Sequence, residues 1–389
     1  MNRRQTSPDA SDYAAAPATR HISALDGLRG IAVLMVICFH FWQGFARGPY
    51  TIVGRLAVWG QTGVDLFFVL SGFLITRILL DSKGNQDFFK NFYVRRILRI
   101  FPLYYATLCA VYFVAPLMGT GQWTPWRQAS WFWFYMQNIP MTFAPSLAIG
   151  PAHFWSLSVE EHYYLLWPLL VARLDCKRLL RVCVLAVGVS LLTRVILFRY
   201  GAFYFTLARL DGLAIGSALA VLARSNSSAL GRLAGPARGL LAGLGVLLAA
   251  TQLIASGSGQ PVVQVLKSTL IAVVYACVII LSTENKLGRS LGALLSSRAL
   301  RSVGKYSYGM YVIHPFMLGW LHGTGIVPFG FPGLVVSMVL TYAAAWLSWT
   351  VLEHPFLKLK RHFEYASSDS RRVILPRIQT AQPALPGGA

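Results

Sequence analysis

Ten stretches of mainly apolar residues, each about as long as a membrane-spanning helix, follow one another along the chain. An α-helix rises 1.5 Å per residue, so about 20 apolar residues cross the hydrocarbon core of a bilayer. The stretches cover residues 28–46, 59–80, 101–118, 153–173, 180–198, 206–223, 237–256, 262–283, 305–322 and 333–355. This pattern predicts an all-α polytopic membrane protein with about ten transmembrane helices.

The composition excludes an ordinary soluble protein. Of the 389 residues, 55% are hydrophobic and only 13% are charged, and the mean hydropathy is +0.53. An average soluble domain has roughly 25% charged residues. The five cysteines lie mostly within apolar stretches and lack the spacing of a zinc or redox site, so we interpret them as buried thiols.

The distribution of basic residues indicates the topology. A formal net charge of +21 would suggest a nucleic-acid partner in a soluble protein. Here Lys and Arg collect in the connections that begin at Asp81, Leu174, Arg224 and Glu284, and the connections between these are nearly bare. Cytoplasmic loops of membrane proteins carry such an excess. We therefore expect no nucleic-acid partner and place the basic loops and both termini in the cytoplasm.

Three further segments complete the predicted organisation. The aromatic stretch 126–138 is short, and a crossing there would break the alternation of basic and bare loops, so we expect it to stay at the membrane surface. Residues 1–22 and 358–389 have the composition of disordered cytoplasmic tails. Residues 23–357 are predicted to form one membrane domain.

Ionisable side chains within the apolar stretches are the first candidates for function, because burying them in a membrane is costly. Arg29 and His40 are eleven residues apart, which places them on one helix face about 16 Å apart. Ser307, Tyr311 and His314 share another face. Counted from the ends of the stretches, a set of groups is predicted at the depth of His40: Asp65, Glu160, Arg209, Asp211 and His314.

A second predicted layer is cytoplasmic and cationic. Arg95, Arg96 and Arg99 lie on a short amphipathic segment before the third stretch. Guanidinium groups clamp phosphates through paired hydrogen bonds. Together with Arg29 they predict an anion site, from which a phosphate-bearing cofactor could extend its reactive end to the layer of His40.

Structural interpretations remain open for both layers. The arginines could anchor the protein to lipid head groups, and Asp65, Arg209 and Asp211 could form ion pairs between helices. Intramembrane charges also build transport pathways, so a secondary transporter of a small anionic substrate is the alternative function. Transporters often show two related halves, and this chain has no internal repeat.

Seven strings resemble, in order and spacing, the membrane acyltransferase type 3 family, bacterial inner-membrane O-acyltransferases that modify cell-surface glycans. The resemblance runs from His21 to Pro355. The strings are HISALDGLRGIAVLMVICFH, GVDLFFVLSGFLI, RRILRIFPLYY, FWSLSVEEHYYLLWP, ARLDGLAIG, GKYSYGMYVIHP and VLEHP.

The resemblance implies a reaction and the residues that bind and react. The family transfers an acyl group, usually acetyl from acetyl-CoA, and the acceptor expected here is a hydroxyl of an envelope or secreted glycan or glycoside. The family pattern of a basic residue, ten residues and a histidine matches Arg29 and His40, and its arginine pair matches Arg96 and Arg99. Its carboxylate matches Glu160, beside Glu161.

A mechanism follows as a hypothesis. His40, tuned by Glu160 or Asp65, acts as general base or accepts the acyl group. Arg209, near Asp211, stabilises the oxyanion, and His314 or Tyr311 assists proton transfer. No metal is expected. Longer members of the family carry an extracytoplasmic hydrolase-like domain, and we expect none here, so the acceptor chemistry is expected in the membrane domain or on a separate partner.

Overall fold

The computed structural model describes residues 22–45, 54, 57–200, 202–254, 261–326 and 330–363. Across these ranges the chain is helical and forms no strand, which confirms the all-α prediction. The predicted tails lie outside the described residues, apart from Ile22 and residues 358–363.

Ten helices of 16 to 27 residues coincide with the ten apolar stretches in this part of the chain. The helices, with four shorter ones, are α1 Ser23–Phe45, α2 Gly63–Ser82, α3 Phe88–Cys109, α4 Trp126–Trp133, α5 Asn138–Phe143, α6 Trp155–Arg173, α7 Cys176–Ile196, α8 Leu210–Ser225, α9 Ala229–Ile254, α10 Pro261–Thr283, α11 Arg289–Leu295, α12 Arg298–Thr324, α13 Phe331–Ser348 and α14 His354–Lys358.

Eight helical segments in the described ranges are long and apolar enough to cross a membrane. The long helices outside this group are α6 and α12, with 19 and 27 residues. They are more polar because they carry ionisable groups in their interior, among them Glu160 and Glu161 on α6 and Lys305 and His314 on α12. Both of these long helices therefore carry candidate site residues.

Helices α2, α6 and α8 run in the same direction. Ser71 of α2 bonds Glu160 of α6, and further along both helices Thr76 bonds Trp167. Asp65 of α2 likewise pairs with Arg209 at the start of α8. Between two parallel helices the chain crosses an odd number of times, and α3 supplies one crossing, so the intervening aromatic stretch does not cross. It forms the eight-residue α4 and the six-residue α5 instead.

The arginine cluster belongs to a longer helix than the sequence predicted. The third apolar stretch was predicted from residue 101, after a separate amphipathic segment. In the structure α3 begins at Phe88, runs through Pro102 without a break, and continues as a π-helical segment, Ala110–Val114. Arg95, Arg96 and Arg99 are thus fixed to the third spanning helix. A helix tolerates an internal proline when neighbouring helices support the freed backbone groups.

Helices α1 and α12 lie parallel and in backbone contact. Ser23 bonds Ser296 just before the start of α12, and His40 bonds His314 near the other end. Between these points Gly304 leaves no room for a side chain, because a methyl group there would overlap the carbonyl oxygen of Asp26. Small residues allow such close helix packing in membranes.

Two buried ion pairs join four helices. Arg209 Nη2 donates to Asp65 Oδ1 at 2.7 Å and its Nη1 donates to Ser268 Oγ of α10. Arg194 Nη1 of α7 donates to Asp211 Oδ2 at 2.9 Å. Arg209 is 2% exposed and Arg194 is 6% exposed. Asp65, Arg209 and Asp211 therefore form ion pairs between helices, as the structural interpretation of these residues proposed.

Because α1 and α12 are in close contact, the effect on stability of replacing a glycine of α12 by alanine should depend on the position of that glycine. We expect Gly304→Ala to destabilise the protein by ~1–3 kcal/mol, since the added methyl group must push the helices apart. Gly319→Ala, on the same helix but with no neighbouring atom within 4 Å, is the matched control. Thermal unfolding of both variants in detergent checks this, and equal midpoints would contradict it.

The Asp65–Arg209 pair predicts a large loss of stability when one partner is neutralised. Asp65→Asn leaves a buried guanidinium without its counter-charge, which typically costs ~3–5 kcal/mol. The exposed pair of Asp175 with Arg178 provides the control. Asp175→Asn keeps an equivalent N-cap for α7 and should leave the unfolding midpoint close to that of the wild type. Similar unfolding midpoints for the two variants would show that the buried pair is not stabilising.

Candidate active site

A cavity of about 310 Å³ lies among α1, α2, α3, α6 and α12. Arg29, Arg96 and Arg99 line it, and Glu160 is the carboxylate in its wall. The charged groups that line the cavity therefore include two more positive charges than negative ones. The wall also presents many hydroxyl groups, those of Ser71, Ser156, Tyr164, Ser307, Tyr308 and Tyr311.

Arg96 and its neighbour Arg95 have different surroundings. The Arg96 guanidinium lies over the rings of Phe92 and Tyr164, 5.6 and 5.8 Å from their centroids. Arg95 does not line the cavity, and its Nη1 donates to the carbonyl oxygen of Phe363. Of the predicted phosphate-binding set, the structure brings Arg29, Arg96 and Arg99 together and places Arg95 outside.

Glu160 belongs to the arginine end of the cavity. Its Oε1 accepts a hydrogen bond of 2.6 Å from Ser71, which itself accepts one from Tyr164. The positive charges of Arg96 and Arg29 act on this carboxylate. Ser71 is six residues, or roughly 9 Å, beyond Asp65 along α2. The prediction of one common depth for Glu160, Asp65 and His40 is therefore wrong.

Asp65 is also displaced from the depth of His40. In the antiparallel packing of α1 and α2, Gly60 lies against Met35 and Gly63 lies against Ala32. Asp65 is accordingly level with the middle of α1, roughly 12 Å from His40. The physical reason is that each depth was counted from the end of an apolar stretch, and these ends do not lie in one plane.

The other end of the cavity is formed by Tyr311 and Ser156. The Tyr311 hydroxyl donates to the carbonyl oxygen of His153 at 2.6 Å and lies 2.6 Å from Ser156 Oγ. The Tyr311 carbonyl oxygen in turn accepts a hydrogen bond from Nδ1 of His314 at 2.7 Å. Tyr311 thus connects the wall of the cavity to the histidines behind it.

His40 and His314 form a hydrogen-bonded pair, with 3.2 Å between His40 Nδ1 and His314 Nε2. A carbonyl oxygen can only accept, so the contact of His314 Nδ1 with Tyr311 O requires a proton on Nδ1. In the neutral ring Nε2 then carries the lone pair. His40 Nδ1, 3.0 Å from the carbonyl oxygen of Val36, is assigned a proton by the same argument.

This assignment leaves the reactive nitrogen of His40 available. With its proton on Nδ1, neutral His40 has its lone pair on Nε2, for which the described residues provide no hydrogen-bond partner. His40 is half-buried and His314 is fully buried. His40 is therefore the member of the pair that can meet a substrate, and His314 supports it from behind.

The remaining predicted residues lie in other surroundings. Ser307 lines the cavity as expected from its face on α12. Arg209 is held by Asp65 and Ser268 beneath the rings of Phe68, Trp155 and Phe203. The structure does not bring Arg209 or Asp211 beside His40.

Three contributors escaped the sequence analysis. His153 packs its ring 5.4 Å from that of His314, and its Nε2 is 3.1 Å from Val312 O. It immediately precedes the string that contains Glu160, which was a usable signal. Arg194 was a lone charge in an apolar stretch, which also marks function or pairing. Ser71 carried no signal, because a single serine is ordinary in a membrane helix.

The geometry provides groups that are suited to binding an anion and to acting as a base. Three guanidinium groups can hold phosphate at one end of the cavity. At the other end, Tyr311 leads to a histidine pair with a free lone pair on His40. An elongated anionic molecule bound here would have its uncharged end near the base.

Comparison with known sequences assigns the chain to a family. The sequence model of a family described as "Acyltransferase domain" matches residues 22–350. This range contains the whole lining of the cavity, from Arg29 to Tyr311, and the histidine pair. No solved structure matches the chain.

Curated relatives match most of the chain. A Bacillus subtilis (strain 168) protein named "Putative peptidoglycan O-acetyltransferase YrhL" is 31% identical over 92% of this chain and 58% of its own length. The peptidoglycan O-acetyltransferase OatA of Listeria monocytogenes is 28% identical over 87% of this chain and 56% of its own. The chain thus spans somewhat more than half the length of these relatives. Because the family model covers most of the sequence, the chain belongs to the membrane acyltransferase family that the seven strings indicated.

Proposed function

We propose that the protein is an integral membrane O-acetyltransferase that moves an acetyl group from acetyl-CoA to a hydroxyl of a cell-wall glycan. The observation that carries the proposal is the cavity lined by three arginines and by Tyr311, whose carbonyl oxygen bonds His314 of the histidine pair. A donor with phosphates at one end and a thioester at the other matches this division of charge.

The orientation of the cavity supports a cytoplasmic donor. Arg29 lies near the start of α1, and Arg96 and Arg99 lie in the first half of α3. Both helices begin at the end of the bundle that carries the Lys- and Arg-rich connections, here called the basic end. Basic connections face the cytoplasm. We therefore propose that acyl-CoA enters from the cytoplasm of a bacterial inner membrane and that the histidine pair lies toward the opposite side.

His40 acts as the general base. Its Nε2 takes the proton of the acceptor hydroxyl while the acceptor oxygen bonds to the acyl carbon. As the carbon–sulfur bond breaks, the proton passes to the departing thiolate. His314 Nε2 accepts from His40 Nδ1–H, which fixes the ring of His40 and stabilises its protonated form.

The other residues bind and orient. Arg29, Arg96 and Arg99 hold the phosphates, and their charge is partly balanced by Glu160, whose position Ser71 fixes. Tyr311 holds the imidazole of His314 through its carbonyl oxygen and the backbone of His153 through its hydroxyl. Arg209 lies elsewhere, so the proposal assigns it no step of the transfer.

The acceptor is proposed from the relatives. The names of the Bacillus and Listeria proteins refer to peptidoglycan, which is a glycan on the outer side of the membrane. A hydroxyl presented from that side meets the histidine pair without passing the arginines. The same chemistry would serve other envelope or secreted glycans.

Loss of His40 is the decisive test. We expect His40→Ala in lipid nanodiscs to lose at least about 100-fold of its acceptor-dependent release of CoA from acetyl-CoA, since general base catalysis contributes 10²–10⁴-fold. His322→Ala, an exposed histidine at the end of α12, is the control and should retain wild-type rates. Substrate counterflow without CoA release would favour a transporter.

The arginines predict a separable effect on donor binding. Arg96→Gln or Arg99→Gln should raise the KM for acetyl-CoA about 10- to 100-fold, because each removes a charged hydrogen bond to phosphate. Arg95→Gln, on the same helix but outside the cavity, should change KM less than about threefold. Initial rates at varied acetyl-CoA check this. An equal effect of all three substitutions would indicate a general role in topology.

A further inference from the structure

A second cavity of about 260 Å³, here called the outer cavity, lies on the other side of α2. It is formed where α2, α8 and α10 begin and where α7 ends, which is the end of the bundle opposite the basic end. Its charged lining groups are Asp65, Arg194, Arg209 and Lys267.

The outer cavity has a positive excess. Asp65 balances Arg209, and Asp211, behind the lining, balances Arg194. Lys267 is half-buried and forms no ion pair within 4 Å among the residues that the structure describes. One uncompensated positive charge therefore remains in the cavity.

Further donors surround this charge. The Nε–H groups of Arg194 and Arg209 are buried and have no hydrogen-bond partner in the described part of the chain. Ser268 accepts from Arg209, so its own hydroxyl proton is available. A buried donor without an acceptor is costly. These two Nε atoms are closed off from the cavity, whereas a carboxylate within it, which only accepts, would compensate the charge of Lys267 and accept the hydroxyl proton of Ser268.

Aromatic rings form the mouth of the outer cavity. Phe203 lies over the Arg209 guanidinium at 4.9 Å and is 42% exposed, and Phe198 beside it is 37% exposed. An apolar wall with a few convergent polar groups is typical of a site for a small ligand. The C–H face of a sugar ring packs well on such rings, whereas a free inorganic ion gains nothing from them.

The outer cavity lies close to the histidine pair, and no histidine is among its lining residues. Gln61 and Thr62 line it, and they belong to the turn Trp59–Thr62. Gly60 of this turn packs on Met35 and Phe39, next to His40. A sugar bound in the outer cavity would thus be separated from His40 by one short turn. The site is suited to hold part of an acceptor whose next unit reaches the base.

We propose that the outer cavity is a binding site for a carboxylate-bearing sugar unit of the acceptor. Lys267 binds the carboxylate and Phe203 packs against the ring. This inference rests on the proposed function for its biological meaning. Binding of the sugar, however, can be measured without any transfer reaction.

The test compares two sugars that differ only in the carboxylate. Methyl glucuronide and methyl glucoside are titrated against the whole chain in lipid nanodiscs, with binding followed by saturation-transfer difference NMR. We expect the glucuronide to bind and the glucoside to bind at least about tenfold more weakly, since a charged hydrogen bond is lost. Lys267→Gln should weaken glucuronide binding by a similar factor, and Lys267→Arg should preserve it.

Coenzyme A binding to the same samples separates this inference from the proposed function. Lys267→Gln should bind CoA as the wild type does, which also shows that it is folded, and Arg96→Gln should lose CoA but keep the glucuronide. Equal binding of the two sugars, or displacement of the glucuronide by an equal concentration of inorganic phosphate, would overturn the inference. Glucuronide binding without CoA binding would overturn the donor proposal alone.

Discussion

Charged groups inside an apolar bundle must be compensated by other groups of the protein, and this requirement shapes the whole molecule. Arg209 and Arg194 are almost fully buried, and each needs a carboxylate and further acceptors from a neighbouring helix. The resulting pairs fix the starts of α2 and α8 against the end of α7 and against α10. Because α2 is fixed in this way, its two sides can form walls of two different cavities.

The two cavities are lined by different charges and different side chains. The one on the arginine side has two positive charges in excess, hydroxyl groups and Tyr311, whose carbonyl oxygen bonds His314 of the histidine pair. The outer cavity has a single excess charge and aromatic rings at its mouth. Phe68 lines the first cavity and lies over Arg209 of the second, so an aromatic ring separates the two charge systems. A donor and an acceptor can thus be held on opposite sides of one helix.

Hydrophobic periodicity and loop charge were sufficient to predict the helices, their number and that the aromatic stretch does not cross. The sequence also placed His40 and His314 at one depth, but their hydrogen bond was not predicted. The relative heights of Asp65, Glu160 and His40 could not be predicted, because they depend on how far each helix slides against its neighbour. That sliding is set by side-chain size at contacts such as Gly63 on Ala32, which span lengths do not reveal.

The backbone contact between α1 and α12 has a consequence for the surrounding lipid. Helices respond to thinner or thicker bilayers by changing their tilt. Because Gly304 lies directly against the carbonyl oxygen of Asp26, α1 and α12 must tilt as one unit. The distance between His40 and His314 is therefore insulated from bilayer thickness, because the two helices that carry these residues change their tilt together.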